Sequence, residues 1–263
     1  MILPDLKTRI ADLDTADIAR HLDDKGWAVV PRLLDDAQCQ ALKADYGSDG
    51  LYRSTVHMQR HGFGRGEYRY FRYPLPDPVA TLRGAFYPLL AGIANDWWAA
   101  MGRTTLFPAD HDSFLAQCAL GGQSRPTPLI LRYGAGDYNC LHQDLYGALH
   151  FPFQVAILLS RPDEDFSGGE FVMTEQRPRM QSRPHVVPLG QGDAVIFAVD
   201  EAPRQGTRGT YRVKLRHGVS EIRHGERFTL GVIFHDAMWD MADRVGFEPT
   251  VSLHPRRFSR PLP

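Results

Sequence analysis

The stretch Leu131-Arg132-Tyr133-Gly134-Ala135-Gly136-Asp137-Tyr138-Asn139-Cys140-Leu141-His142-Gln143-Asp144 decides how the rest of the chain reads. It reads as two strand pieces joined by a turn in which Gly134 and Gly136 supply backbone freedom. His142 and Asp144 stand at i and i+2, and on a strand such side chains share a face. An imidazole beside a carboxylate is two thirds of a metal site. The same His-x-Asp spelling occurs at His21-Leu22-Asp23, within a segment of helical periodicity in which Ile18 and Leu22 stand at i, i+4. On a helix i and i+2 lie on different faces, so that pair serves as an internal control.

The third ligand is to be sought downstream, on a later strand folded back beside the first. The histidines after Asp144 are His150, His185, His217, His224, His235 and His254. His217 stands out, because it closes the alternating run Tyr211-Arg212-Val213-Lys214-Leu215-Arg216-His217; His185 and His235 are the alternatives. Two histidines and one carboxylate on one face suit Fe(II) and leave positions open for O2 and a co-substrate. Arg227 follows ten residues after His217, across the Ile222–Glu226 turn, a spacing that a hairpin would use to bring it to the pocket. Its planar fork is suited to a carboxylate.

The flanking strands fit a large β domain. Phe153–Leu159 is almost wholly apolar, as in a strand buried on both faces. Gly168-Gly169 precedes Glu170–Met173, Gly190–Asp193 precedes Ala194–Phe197, and Arg227–Phe234 is the last strand. Many short strands with glycine turns indicate a jelly roll or barrel. Upstream the pattern is mainly helical: a helix over 14–24 capped by Asp14 or Thr15, a strand at Trp27–Val30, and a second helix from Asp35 to about Tyr46. Residues 77–121 are helical again, with Pro88 predicting a kink or break. The predicted organisation is a helical N-terminal flank over 1–126, a β core over 127–236 and a C-terminal extension over 237–263, whose tail is basic and proline-rich.

Within the flank, residues 51–76 interleave arginines with aromatics, and Glu67 is the only acid among them. Arg60, Arg65, Arg69 and Arg72 suit phosphates, and Tyr70 or a neighbouring ring suits a base, with Gly62, Gly64 and Gly66 making a pliable loop. The plain alternative is a solvated loop whose aromatics pack on the domain. The net charge of −1 gives no global field toward nucleic acid or membrane. Three scattered cysteines, Cys39, Cys118 and Cys140, argue against a disulfide framework and a zinc ribbon. No apolar run approaches membrane-spanning length and the start turns polar at once, so a cytoplasmic protein is expected.

His142-Gln143-Asp144, His217 and Arg227 together resemble the signature of the Fe(II)/2-oxoglutarate-dependent oxygenases. Tyr133-Gly134-x-Gly136-x-Tyr138, Gly168-Gly169-Glu170-Phe171 and Gly192-Asp193-x-x-x-Phe197 are similar to pieces of its prolyl-hydroxylase-like branch, over roughly residues 127–236. The resemblance implies a double-stranded β-helix, Fe(II) on His142, Asp144 and His217, and 2-oxoglutarate bound by Arg227 with Thr229 and Tyr133. It also implies oxidation of a C–H bond with release of succinate and CO2. Val155, Ile157, Phe197 and Val232 are candidates for an apolar wall around the oxidant. Prolyl hydroxylases often carry lysine where this chain has Arg227, a departure that bears on substrate class. Oxidative dealkylation of bases in DNA or RNA, a repair chemistry like that of AlkB-like dealkylases, is the leading expectation. Hydroxylation of a protein side chain, oxidation of a small molecule and a non-enzymatic 2-oxoglutarate or metal sensor are the alternatives.

Overall fold

A computed structural model describes residues 5–145, 147–207 and 209–238. The elements run α1 (Leu6–Ala11), α2 (Thr15–Lys25), β1 (Trp27–Val30), α3 (Asp36–Asp45), β2 (Tyr52–His57), β3 (Gly64–Arg65), β4 (Glu67–Phe71), α4 (Asp77–Ala100) and α5 (His111–Leu120). From there the chain is all strand: β5 (Leu129–Tyr133), β6 (Tyr138–His142), β7 (Phe153–Leu158), β8 (Phe166–Gly168), β9 (Phe171–Gln176) and β10 (Arg183–Val187). β11 (Ala194–Ala198), β12 (Glu201–Gly206), β13 (Gly209–Val219), β14 (Ile222–Gly225) and β15 (Arg227–Ile233) complete it.

The strands form two antiparallel sheets. The larger has the order β1-β11-β7-β15-β5-β4-β2, the smaller β10-β9-β13-β6-β3 with β12 also on β13, and β14 pairs with β8 as a separate ribbon. This is the jelly roll that the strand pattern allowed and the double-stranded β-helix that the family resemblance implied. The decisive turn at Gly134–Asp137 is a crossing between sheets, since β5 belongs to one and β6 to the other. Gly136 there adopts φ +83°, a conformation that costs glycine least.

The N-terminal helices start where their caps require. Asp14 accepts from the Asp17 amide, and Asp35 forms a reciprocal capping box with Gln38. α1, capped by Asp5, was too short to show in the periodicity. Residues 1–126 are more than a flank, because β1, β2 and β4 are hydrogen-bonded members of the larger sheet. The boundary expected at 127 therefore does not divide it. Nearly all of the expected C-terminal extension lies outside the described residues.

α4 runs through Pro88 as one helix, so of the kink or break expected there the break does not occur. An internal proline costs about 3 kcal/mol, while each large apolar side chain buried is worth about 1.5–3 kcal/mol. Leu90, Ile93 and Trp97 follow the proline and are all buried, which offsets its cost. Pro88 and Gly84, whose carbonyl loses its partner, are both exposed, so water can serve that carbonyl. The buried side of α4 meets β15, and its Trp97 ring packs edge-on to Phe153 of β7 at 4.8 Å. No helix among the described residues is long and apolar enough to cross a membrane.

Candidate active site

The metal-type residues converge on the smaller sheet. His217 on β13 is the direct cross-strand partner of His142 at the end of β6, so their side chains share the inner face. Asp144, two residues beyond, places Oδ1 3.4 Å from His142 Nε2 and Oδ2 3.4 Å from His217 Nε2. One ligand atom from each of the three lies within 4.8 Å of the others. The His142 Nδ1–H donates to the Cys140 carbonyl at 2.8 Å, which leaves Nε2 as the nitrogen with a lone pair facing the cluster. Gln143, between the two ligands, is held in place by donating to Asp200 Oδ1 at 2.7 Å and to the Leu215 carbonyl at 2.9 Å.

The electrostatics are those of a site built for a cation. Burial works against ionising Asp144, but His142 and His217 outweigh it and hold its carboxyl well below the usual range. Burial likewise disfavours a charged His142, and the Asp144 carboxylate overrides it, raising that imidazole. For His217, burial and then the neighbouring His142 dominate and lower it. The control pair behaves as helix geometry demands. His21 turns to Asp17 at 3.1 Å, while Asp23 accepts from the Trp97 indole at 2.6 Å. Of the alternative histidines, His185 lies on β10 at the sheet edge, and His235 is buried, accepting from the Phe151 amide. Neither joins the cluster.

Arg227 enters from the opposite side. β13 and β15 do not form the expected hairpin, because the intervening segment is β14, which pairs with β8 and carries the chain across to the larger sheet. There Arg227 is the partner of Tyr133, with its Nη1 donating to Thr229 Oγ1 at 2.6 Å. It is 1% exposed, and the rings of Tyr133 and Phe166 stand 5.8 Å from its guanidinium. Its Nε has no hydrogen-bond partner, and no carboxylate pairs with it among the described residues. Burial, only partly opposed by Tyr133 and Glu170, pushes its pKa down to about 10. Glu170 acts on the guanidinium only through space, and with no carboxylate paired to it among the described residues this end of the cavity favours an anion. Gly169 leaves the arginine its room, since a Cβ there would come within 2.9 Å of Arg227 Cδ.

A cavity of about 200 Å³ joins the two ends, with Leu131, Thr229, Phe197, Gln154, Phe63 and Tyr68 among its walls. Phe197 lies 4.6 Å from the His217 ring. Of the four wall residues expected, Val155 and Phe197 line the cavity, whereas Ile157 and Val232 pack in the main core. Sequence reasoning also missed Asn139, which donates to the Tyr133 hydroxyl at 3.3 Å, and Gln154. The available signal for Gln154 was that it alone is polar in Phe153–Leu159.

The basic and aromatic segment is made of the strands β2, β3 and β4, with a 3-10 turn at Met58–His61 between the first two, and is not a pliable loop. β4 alternates, with Tyr68 and Tyr70 inward and Arg69 outward. Tyr70 is 2% exposed, so no base can stack on it as expected. Arg69 is also otherwise engaged, paired with Asp49 at 2.8 Å and lying over the Tyr46 and Tyr52 rings. Arg60, Arg65 and Arg72 are exposed. Phe63, between the first two, reaches the cavity and stacks on His61 with ring centroids 5.3 Å apart. Arg177, in a second group of arginines with Arg179 and Arg183, is paired with Glu175 at 2.7 Å.

Residues 66–237 match the Oxygenase-NA family, described as oxygenases catalysing oxidative methylation of damaged DNA. An uncharacterized protein of Mycobacterium tuberculosis (strain ATCC 25618 / H37Rv) is 48% identical over 167 residues, which cover 64% of this chain and 72% of that one. The fold is similar to a Pseudomonas putida prolyl-4-hydroxylase, with a TM-score of 0.51 and 14% identity over 84% of this chain and 98% of that one. It is similar as well to a prolyl 4-hydroxylase of Phytophthora capsici, with a TM-score of 0.51 and 16% identity over 90% and 67% of the respective chains. At such identities the likeness to the two hydroxylases is one of fold.

Proposed function

The chain belongs to this oxygenase family and carries the fold and His-x-Asp…His triad of the Fe(II)/2-oxoglutarate enzymes, and on that premise we propose that it removes N-alkyl groups from damaged bases in DNA or RNA. The observation that carries the co-substrate assignment is the buried, carboxylate-free Arg227 facing the triad across one cavity. The damaged-base assignment is supported by the family description and by the exposed arginines beside Phe63.

His142, Asp144 and His217 would hold Fe(II), offering one negative charge and two neutral nitrogens. Arg227 and Thr229 would bind the far carboxylate of 2-oxoglutarate, the guanidinium gaining the anion that it lacks. Fe(II) bound with 2-oxoglutarate supplies O2 activation, coupled to conversion of the co-substrate to succinate and CO2. Leu131 and Phe197 keep water from the reacting centre. Asn139 fixes the Tyr133 hydroxyl against the Arg227 end. Hydroxylation of an N-methyl carbon leaves an N–CH2OH group, which breaks down to formaldehyde and the restored N–H.

Anaerobic addition of Fe(II) and then 2-oxoglutarate is expected to give the weak visible charge-transfer band of a metal–keto-acid chelate. With O2 and oligonucleotides bearing N-methylated bases, succinate and formaldehyde should appear together. Succinate coupled to oxidation of peptides, with damaged oligonucleotides inert, would overturn the substrate assignment.

Salt dependence gives a separate check. If Arg60 and Arg65 meet phosphates, replacing each by alanine should lower the slope of log affinity against log salt by about 0.7–0.9. Arg69→Ala should leave the slope unchanged, because that side chain is already committed to Asp49. Slopes identical for wild type and the Arg60/Arg65 double variant would remove this surface from the interface.

A further inference from the structure

β6 ends at His142, whose partner on β13 is His217, and Asp144 lies two residues past that last pair. Strand pairing therefore sets the two histidines against each other but stops short of the carboxylate. Gln143 carries the chain across that gap. Its Nε2 donates to Asp200 Oδ1 at 2.7 Å and to the Leu215 carbonyl at 2.9 Å, with the Asp200 carbonyl 3.5 Å away. All three neighbours are acceptors, and only the nitrogen of an amide can donate, so the network fixes which way the amide is turned.

The two anchors belong to one unit. Leu215 stands on β13 two residues before His217, and its amide donates to the Asp200 carbonyl at 2.6 Å. One side chain thus ties the residue between two members of the triad to the strand that bears the third. Gln143 and Asp200 are both half-buried, where a hydrogen bond is stronger than in open water. Gathering a carboxylate beside two imidazoles costs conformational freedom, and a chain in which that cost is already met binds a metal more tightly.

We propose that Gln143 is a positioning residue for the metal site. Its amide, clamped between Asp200 and Leu215, sets the Asp144 carboxylate beside the two histidines before the metal binds. This rests on the assignment of His142, Asp144 and His217 to Fe(II) made above. Gln143→Met keeps the length of the side chain and loses the donor. Gln143→Glu places a second carboxylate against Asp200, whose own carboxyl is already raised by burial and by Glu201.

The test is anaerobic titration with Fe(II) alone and with Co(II) alone, whose visible ligand-field bands report the ligands around it. Thermal unfolding of each metal-free variant establishes that it is folded at the titration temperature. Gln143→Met should bind either metal about 10–100-fold more weakly than the wild type, the scale for losing a group that orients a ligand. Its Co(II) bands should differ from those of the wild type, because the carboxylate is no longer held in place. Gln143→Glu should bind more weakly still. Combining it with Asp200→Asn should recover about tenfold, the scale of one hydrogen bond, since position 200 then supplies the donor. Affinities and Co(II) bands equal to the wild type, with only the thermal midpoint lowered, would overturn the proposal and leave the triad assignment standing. Equal affinities for Gln143→Glu with and without Asp200→Asn would overturn the clamp. A wild type that binds neither metal would remove the triad assignment and the role of Gln143 together.

Discussion

Asp144→Ala is expected to abolish succinate formation while leaving the domain folded. The carboxylate is the only charged member of the triad that opposes a divalent cation, and its two oxygens face both histidines at 3.4 Å. The loss should go well beyond the roughly 10–100-fold typical of changing a group that merely orients a ligand. Folding should survive, because Asp144 lines the cavity beyond the end of β6, where its loss breaks no strand pairing. The measurement is succinate yield at saturating Fe(II), together with thermal unfolding with and without the metal. The variant should melt like metal-free wild type and no longer respond to Fe(II). Near-normal turnover in metal-replete buffer would sink the ligand role. His21→Ala, at the helical control, should leave turnover intact.

Substitution of Arg227 should separate co-substrate binding from metal binding. Arg227→Lys keeps the charge but loses the two-pronged geometry, and 2-oxoglutarate affinity should fall by about 1–3 kcal/mol, roughly 5- to 150-fold. Fe(II) affinity should change much less, because the triad is on the other sheet. Arg227→Met is the sharper probe. Removing a buried cation that has no carboxylate partner among the described residues should leave the ligand-free protein as stable as before or more so, while 2-oxoglutarate binding disappears. Anaerobic titration gives the affinities, and urea unfolding of the empty protein gives the stability. A destabilised empty protein with both ligands weakened alike would make Arg227 a structural residue.

Much of the site was legible because strand geometry is periodic. The His-x-Asp pair and the histidine in an alternating run were both readable, and they meet at the cross-strand partners His142 and His217, although β6 stops at His142, short of Asp144, and β13 runs past His217 to Val219. The caps at Asp14 and Asp35 were readable for the same local reason. What failed were inferences about long-range pairing. The short link from His217 to Arg227 suggested a hairpin, and nothing in its residues says that Ile222–Gly225 pairs with Phe166–Gly168 instead. In 51–76 the composition drew attention away from the alternation. Glu67-Tyr68-Arg69-Tyr70 is a strand pattern, masked by Gly62, Gly64 and Gly66, all three at positive φ. Gln154 was hidden by its neighbours, since in a strand buried on both faces the sequence does not say which polar side chain meets a cavity.

The crossing of the chain between sheets has a consequence for descent. The smaller sheet carries His142 and His217, with Asp144 just beyond the end of β6, while Arg227, Thr229 and Gln154 belong to the larger one. Within the larger sheet, Arg227 and Thr229 stand on β15 and Gln154 on β7. On the reading proposed above, the residues that would hold the metal and those that would hold the co-substrate are thus written in different parts of the chain, and each set can be inherited without the other. A lineage that exchanges Arg227 and Thr229 on β15 alone would keep the triad and change the anion that it can bind.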